Sequence, residues 1–214
     1  MSMSRGVPPA IVAAWLAGRS HSRGLPAPVR DGAALRVETD LPLERRRYVF
    51  HAPCEDIRRI AEAVFEPRVV LKICGAENEV RPLLPSRWRL TAEDVFMMLE
   101  GAMDGAPRAL GRGYALEVQE TGPLVLARVI AQDGATAASG RAVHAHGVFV
   151  YDQIRTDEGH QRRGLGALVM RALEAAGRKD DVPQVLAATA QGRALYETLG
   201  WRVRSPYLTA FIEG

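Results

Sequence analysis

The sequence predicts a mixed α/β fold, and three observations carry that prediction. The run Val148-Phe149-Val150-Tyr151-Asp152-Gln153-Ile154 is rich in β-branched and aromatic residues, as a strand requires. Leu165, Leu168, Val169, Ala172, Leu173 and Ala176 fall at helical spacing and make one apolar stripe. Val185-Leu186-Ala187-Ala188-Thr189 then reads as a second strand. A basic, glycine-bearing turn, Gln161-Arg162-Arg163-Gly164-Leu165-Gly166-Ala167, joins the first strand to the helix.

In chain order, the apolar run over residues 7–18 opens on Pro8 and Pro9, which suit a first helical turn. It meets Arg19, His21 and Arg23 without a clean small-residue cleavage site, so it reads as a helix rather than a leader. Residues 20–32 hold Gly24, Pro26 and Pro28 and form an extended connector. Leu35-Arg36-Val37-Glu38-Thr39 alternates as a strand, and Tyr48-Val49-Phe50 makes another after Arg45-Arg46-Arg47. The arginine triplet reads as a solvated strand edge, with an anion grip as the alternative. Ile57, Ile60, Ala61, Val64 and Phe65 mark a helix over residues 54–66, with Glu55 and Asp56 at its positive end. A buried strand, Val69-Val70-Leu71, follows, so this stretch makes a βα unit. Thr91 as cap, Asp94 three residues on, and Val95, Met98, Leu99 and Ala102 predict a further helix over residues 91–102. Met97, Met98 and Met103 are expected in its packing.

The glycine-rich stretch 101–113 is the expected boundary between a small α/β region, residues 33–110, and a second region, residues 111–214. Residues 1–32 form a helix and connector ahead of both. The second region reads as strands at 114–118 and 123–131, a turn at Asp133-Gly134, and a loop or strand start at 135–141. One strand over 143–154 then feeds the glycine turn. No internal repeat or low-complexity tract is visible.

The turn itself favours anions. The first N–H groups of a helix lack partners within it, and the helix dipole places partial positive charge there. Gly164 and Gly166 let backbone approach a bulky anion, and Arg162 and Arg163 add forked donors that suit phosphate. Gln-x-x-Gly-x-Gly between a strand and an amphipathic helix resembles the acyl-CoA pyrophosphate loop of the GNAT N-acetyltransferases. Gly192-Arg193-Ala194-Leu195-Tyr196-Glu197-Thr198-Leu199-Gly200-Trp201 is similar to that family's Ala-x-x-Leu-Tyr-x-x-Leu-Gly-aromatic helix, in the same order along the chain. The resemblance covers residues 113–214.

The resemblance implies a mixed, mostly antiparallel central sheet flanked by helices; the additional N-terminal α/β region is read from its residue pattern alone. It implies acetyl-CoA as co-substrate, without a metal, and direct attack by a primary amine in a ternary complex. The amine could belong to a small molecule or to a peptide or protein. It assigns cofactor contacts to Ile154, Arg155, Thr156, Gln161, Arg162, Arg163, Gly164, Leu165, Gly166, Ala167, Thr189 and Tyr196. Tyr196 matches the tyrosine that faces the thioester sulfur and serves the departing thiolate. Asp152 is the ionisable residue where a base would sit, with an exposed strand carboxylate as its alternative. His144 and His146 lie further back on that strand and read as surface imidazoles. Such a base matters because freeing a lysine-like amine of its proton at neutral pH costs about 4 kcal/mol, roughly 3 pK units. Thr189 stands where many members carry asparagine, and Val150 is not acidic where some place their base.

Composition narrows the rest. The chain has 28 basic and 25 acidic residues, a net charge of +3, too mild to argue for nucleic acid or a membrane surface. Cys54 and Cys74 form neither a disulfide framework nor metal-ligand spacing, and read as buried thiols of a cytoplasmic protein. A homodimer is possible. Two other classes stay open: a non-catalytic acyl-CoA sensor, and a nucleic-acid binder using Arg45, Arg46, Arg47, Arg87 and Arg89.

Overall fold

The structure is a computed structural model that describes residues 7–106, 109–178 and 181–213. Helix α1 (Pro9–Ser22) comes first, followed by strands β1 (Val29–Asp31), β2 (Ala34–Leu41) and β3 (Glu44–Phe50). Helix α2 (Glu55–Ala63), strand β4 (Val69–Cys74), the short helix α3 (Glu77–Val80) and strand β5 (Trp88–Leu99) complete the first half. The second half runs β6 (Tyr114–Thr121), β7 (Leu124–Ala131), β8 (Thr136–Ala145), β9 (Val148–Thr156), α4 (Leu165–Gly177), β10 (Gln184–Ala188), α5 (Ala190–Glu197) and β11 (Arg202–Ile212).

All the strands join one sheet in the order β1-β2-β3-β4-β11-β5-β10-β9-β8-β7-β6. Only β3–β4 and β9–β10 are parallel. Each of these pairs is bridged by a helix, α2 or α4, as a parallel crossover demands. The regions 33–110 and 111–214 therefore meet within a single sheet, through β11 on β4 and β5 on β10.

The topology repeats even though the sequence does not. The series β2-β3-α2-β4-α3-β5 has the same order and pairing sense as β8-β9-α4-β10-α5-β11. The last strand of each series crosses over to pair with the other, and β5 and β11 lie side by side at the centre. The repeat stops at chemistry. The turn into α2 is His51-Ala52-Pro53-Cys54, with none of the glycine and arginine of the turn into α4.

Two elements differ from the sequence reading for physical reasons. Residues 91–102 do not form a helix, because β5 is a central strand buried on both faces. Phe96 and Met98 pack toward α1, while Met97 and Leu99 pack toward α4 and α5. A strand buried on both faces reads as a continuous apolar run, and periodicity alone cannot separate that from a helix. The methionines do pack in the core, as expected. Residues 143–154 are not one strand either. They form the end of β8 and most of β9, joined at His146 (φ 44°) and Gly147 (φ 80°), two positive angles of a tight hairpin turn. Residues 135–141 belong largely to β8.

β3 is also no edge. It lies between β2 and β4, and Arg47 is buried against Glu44 at 2.7 Å. Arg46 pairs with Glu38 and Arg45 with Glu66, so all three arginines of the triplet are matched by neighbouring carboxylates.

Helix α1 covers one face of the sheet. Gly18 lets it lie close: a Cβ there would stand 2.7 Å from Val150 Cγ2 and 3.0 Å from Ala145 Cβ. Trp15 anchors it, edge-on to Phe96 at 5.3 Å and to Tyr207 at 5.5 Å. Trp15→Ala is expected to lower the unfolding free energy by about 3–5 kcal/mol, read by urea denaturation. A change under about 1 kcal/mol would mean that α1 is not an integral part of the core.

Candidate active site

The site begins with a failure of pairing. β9 and β10 are joined in register only at Phe149–Gln184 and Val150–Val185. Beyond these rungs β10 stays on β5 as far as Ala188–Val95, and β9 stays on β8 as far as Thr156–Ala138. The two strands therefore diverge into a V. A bulge in β9 steepens it: Gln153 and Ile154 stand opposite the single residue Gly140, with Gln153 at φ 54°. Gly140 must be small, since a Cβ would lie 2.5 Å from Ile154 Cδ1 and 2.7 Å from Val169 Cγ1.

A cavity of about 1030 Å³ runs through this V from one face of the sheet to the other. On the α4 and α5 side its wall includes Ile154, Thr156, Leu165, Leu186 and Tyr196. On the α1 side it includes Trp15, Arg19, Arg23, Lys72, Asp94 and Tyr207.

The glycine turn forms the mouth on the α4 side. Arg162 (φ 60°) and Gly164 (φ 78°) both take left-handed backbone, which curls successive amides inward. Gly164 is the residue that caps α4, and the helix's hydrogen bonds begin with Leu168 N–H donating to Gly164 O at 3.1 Å. Among the described residues no acceptor takes the N–H groups of Leu165, Gly166 and Ala167. Gly166 serves packing as well: a Cβ would stand 2.9 Å from Leu195 Cδ2, so it brings α4 against α5. Free amides, a helix dipole and Arg162 on one rim suit a pyrophosphate.

Every residue expected to contact the cofactor lines the cavity except Arg163. Arg163 turns away and donates to Tyr114 Oη at 2.9 Å and to Gly159 O. Thr189 has a second task, since its Oγ1 accepts from Gly192 N–H at 3.2 Å and caps α5. Tyr196 follows about two turns into that helix and is 7% exposed. Burial, with the Asp152 charge adding to it, pushes its phenol up to about 12, so the hydroxyl keeps its proton across the working range.

Asp152 lines the same cavity, and α1 has claimed it. Arg23 donates to both its oxygens, from Nε at 2.6 Å and Nη2 at 2.7 Å. Ser22 Oγ donates at 2.9 Å. Nearby, Arg141 of β8 donates to Ser22 O at 2.5 Å, placing a cation at the negative end of α1. Three of the roughly four lone-pair positions of the carboxylate are thus filled.

The histidines lie elsewhere. His144 Nε2 contacts Gly177 O at 2.6 Å at the end of α4, and its ring packs on Phe149. His146 sits in the β8–β9 turn. Cys74 is buried, and its thiol is pushed up to about 12. Both cysteines are free, and no metal-holding cluster of His, Cys, Asp or Glu occurs among the described residues. None of their helices is long and apolar enough to cross a membrane. Sequence reasoning missed Arg19, Arg23, Lys72 and Tyr207. They come from distant parts of the chain and carry no local motif; only the sheet order assembles them.

Residues 98–201 match the model of the acetyltransferase (GNAT) family. A GCN5-related N-acetyltransferase from Kribbella flavida is similar in structure, with a TM-score of 0.67 at 16% identity, covering 98% of this chain and 97% of its own. A GNAT-family acetyltransferase structure from Novosphingobium aromaticivorans gives 0.57 at 16%, with 94% and 96% covered. A GCN5-related N-acetyltransferase from Sphaerobacter thermophilus gives 0.56 at 12%, with 97% and 94% covered. No curated protein matches the sequence. The split sheet, the glycine turn and the helix that carries Tyr196 all fall within residues 98–201, the span that matches the GNAT acetyltransferase model, and the likeness to these solved structures shows that the chain has their fold.

Proposed function

We propose that the protein transfers an acetyl group from acetyl-CoA to a primary amine by direct attack in a ternary complex. The observation that carries this reading is the cavity through the β9–β10 split. It joins an anion-receptive mouth at α4 to a polar chamber under α1, with Tyr196 and Asp152 both on its wall.

In this reading the amides of residues 164–167 and Arg162 hold the pyrophosphate. The unpaired edges of β9 and β10 flank the pantetheine arm, and Ile154, Arg155 and Thr156 line its path. Asp152 accepts one hydrogen bond from the incoming amine with its remaining lone-pair position, and so orients the nitrogen. The N–C bond forms as the C–S bond breaks. The amine nitrogen gives up a proton, and the thiolate gains one.

Tyr196 acts here as a hydrogen-bond donor to the developing thiolate. A phenol near 12 stands well above a thiol near 8.5, so full transfer from Tyr196 is uphill by roughly 3.5 pK units, about 5 kcal/mol. A donated hydrogen bond stabilises the charge without that transfer.

Turnover is tested by following free thiol release over a panel of amines. Tyr196→Phe is expected to lower kcat on the order of 100-fold while leaving acetyl-CoA affinity nearly intact. The wild-type rate should rise as the amine loses its proton and hold through about pH 10, because the phenol stays protonated there. A Tyr196→Phe enzyme with unchanged kcat would remove Tyr196 from the reaction. At the mouth, Arg162→Ala should weaken acetyl-CoA binding by roughly 10-fold, and Arg163→Ala by much less. The reverse ranking would contradict the assignment of the loop.

A further inference from the structure

The chamber under α1 is not part of the acetyl-CoA path, and its chemistry is specific. Alternation along β4 puts Lys72 on the same face as Cys74, beneath α1. Tyr207 of β11 stands beside it, with Lys72 Nζ 5.6 Å from the centre of the tyrosine ring. Both line the cavity. Asp94 completes this side of the chamber, Arg19, Arg23 and Asp152 close it from α1 and β9, and the Arg47–Glu44 pair lies outside its lining.

Most of these charges are matched. Arg47 pairs with Glu44 at 2.7 Å, and Arg23 grips Asp152 through two hydrogen bonds. Arg19 stands 3.8 Å from the same Asp152. Lys72 is held loosely. Its ammonium donates to Thr209 Oγ1 at 2.6 Å and stands 3.9 Å from Asp94, beyond hydrogen-bond reach. An ammonium has three protons to donate. Burial and the neighbouring Arg47 both disfavour its charge, with Asp94 and Glu44 opposing them.

A second observation is independent of charge. Tyr207 is 3% exposed, and among the described residues its hydroxyl has no hydrogen-bond partner. Buried hydroxyls are almost always satisfied, so an unpartnered one on a residue of the cavity wall points to an acceptor from outside the chain. An ammonium with protons to spare thus stands by the ring that carries this hydroxyl. On this side of the cavity wall, Arg19, Arg23 and Lys72 face Asp94 and Asp152. One positive charge is left over.

We propose that the acceptor is an amine that also bears a carboxylate, and that Lys72 and the Tyr207 hydroxyl hold that carboxylate. Its amine then faces the split near Asp152. A single carboxylate balances the one surplus charge, whereas a phosphate ester with nearly two negative charges would overshoot it. Lys72 and Tyr207 are specificity residues in this account, and the account rests on the acyltransferase reading above.

The test compares matched amines in the thiol-release assay: lysine with cadaverine, histidine with histamine, and 4-aminobutyrate with butylamine. At least one carboxylate-bearing member should exceed its partner in kcat/KM by on the order of tenfold or more. Lys72→Met should raise KM for that substrate by a similar factor and erase the preference, with the acetyl-CoA dissociation constant unmoved. Lys72→Arg should restore part of the loss, and Tyr207→Phe should reproduce it in milder form without removing any charge. Turnover indifferent to the carboxylate, or Lys72→Met and Tyr207→Phe enzymes that keep the preference, would overturn this inference alone. Absence of turnover with every amine would overturn the acyltransferase reading and this inference with it.

Discussion

Two rungs of parallel pairing between β9 and β10, and the absence of a third, organise this molecule. A sheet that zipped fully along these strands would have no cavity. The opening is held by what lies on either side. β8 keeps β9 in place through a bulge at Gln153 and Ile154, while β5 keeps β10 in place through five registered pairs. Gly140 is the small residue that lets the bulged Ile154 sit under α4. Unpaired strand edges inside a protein normally cost stability, and here they face an open cavity.

The two faces of the split have different origins. The α4 face is local: turn, helix, strand and helix follow one another within residues 161–197, so one stretch of sequence holds nearly all of it. The α1 face is assembled from α1, β3, β4, β5 and β11, spread over almost the whole chain. The exchange of β5 and β11 between the two topological halves makes this possible. It leaves just β11 and β5 between β4, with Lys72, and β10, and puts Tyr207 between them. The half without a glycine turn thereby contributes to a site that it could not form alone.

That division also explains what was legible. The glycine turn, α4, β10 and α5 follow from residue pattern, because helix termini and positive-φ glycines are local physics. The βα unit at residues 44–74 was legible for the same reason. The helix expected at residues 91–102 was not, because Val95-Phe96-Met97-Met98-Leu99 is apolar on both faces and its partners lie more than eighty residues away. Arg47 reads as a surface charge until β2 and β4 are found on either side of it. Asp152 was legible as a residue near the reaction. Its capture by Ser22 and Arg23 was not, since 129 residues separate Arg23 from it.

The central claim is that the turn at residues 161–167 and the split behind it form an acyl-CoA site. Calorimetric titration with acetyl-CoA, run beside Gly164→Glu, tests it most directly. Gly164 holds φ 78° at the head of α4, so glutamate would bring both a strained backbone and a negative charge to the anion mouth. The account predicts micromolar binding by the wild type and its loss in a folded Gly164→Glu protein. Equal affinity in the two folded proteins, or no binding by the wild type, would contradict it.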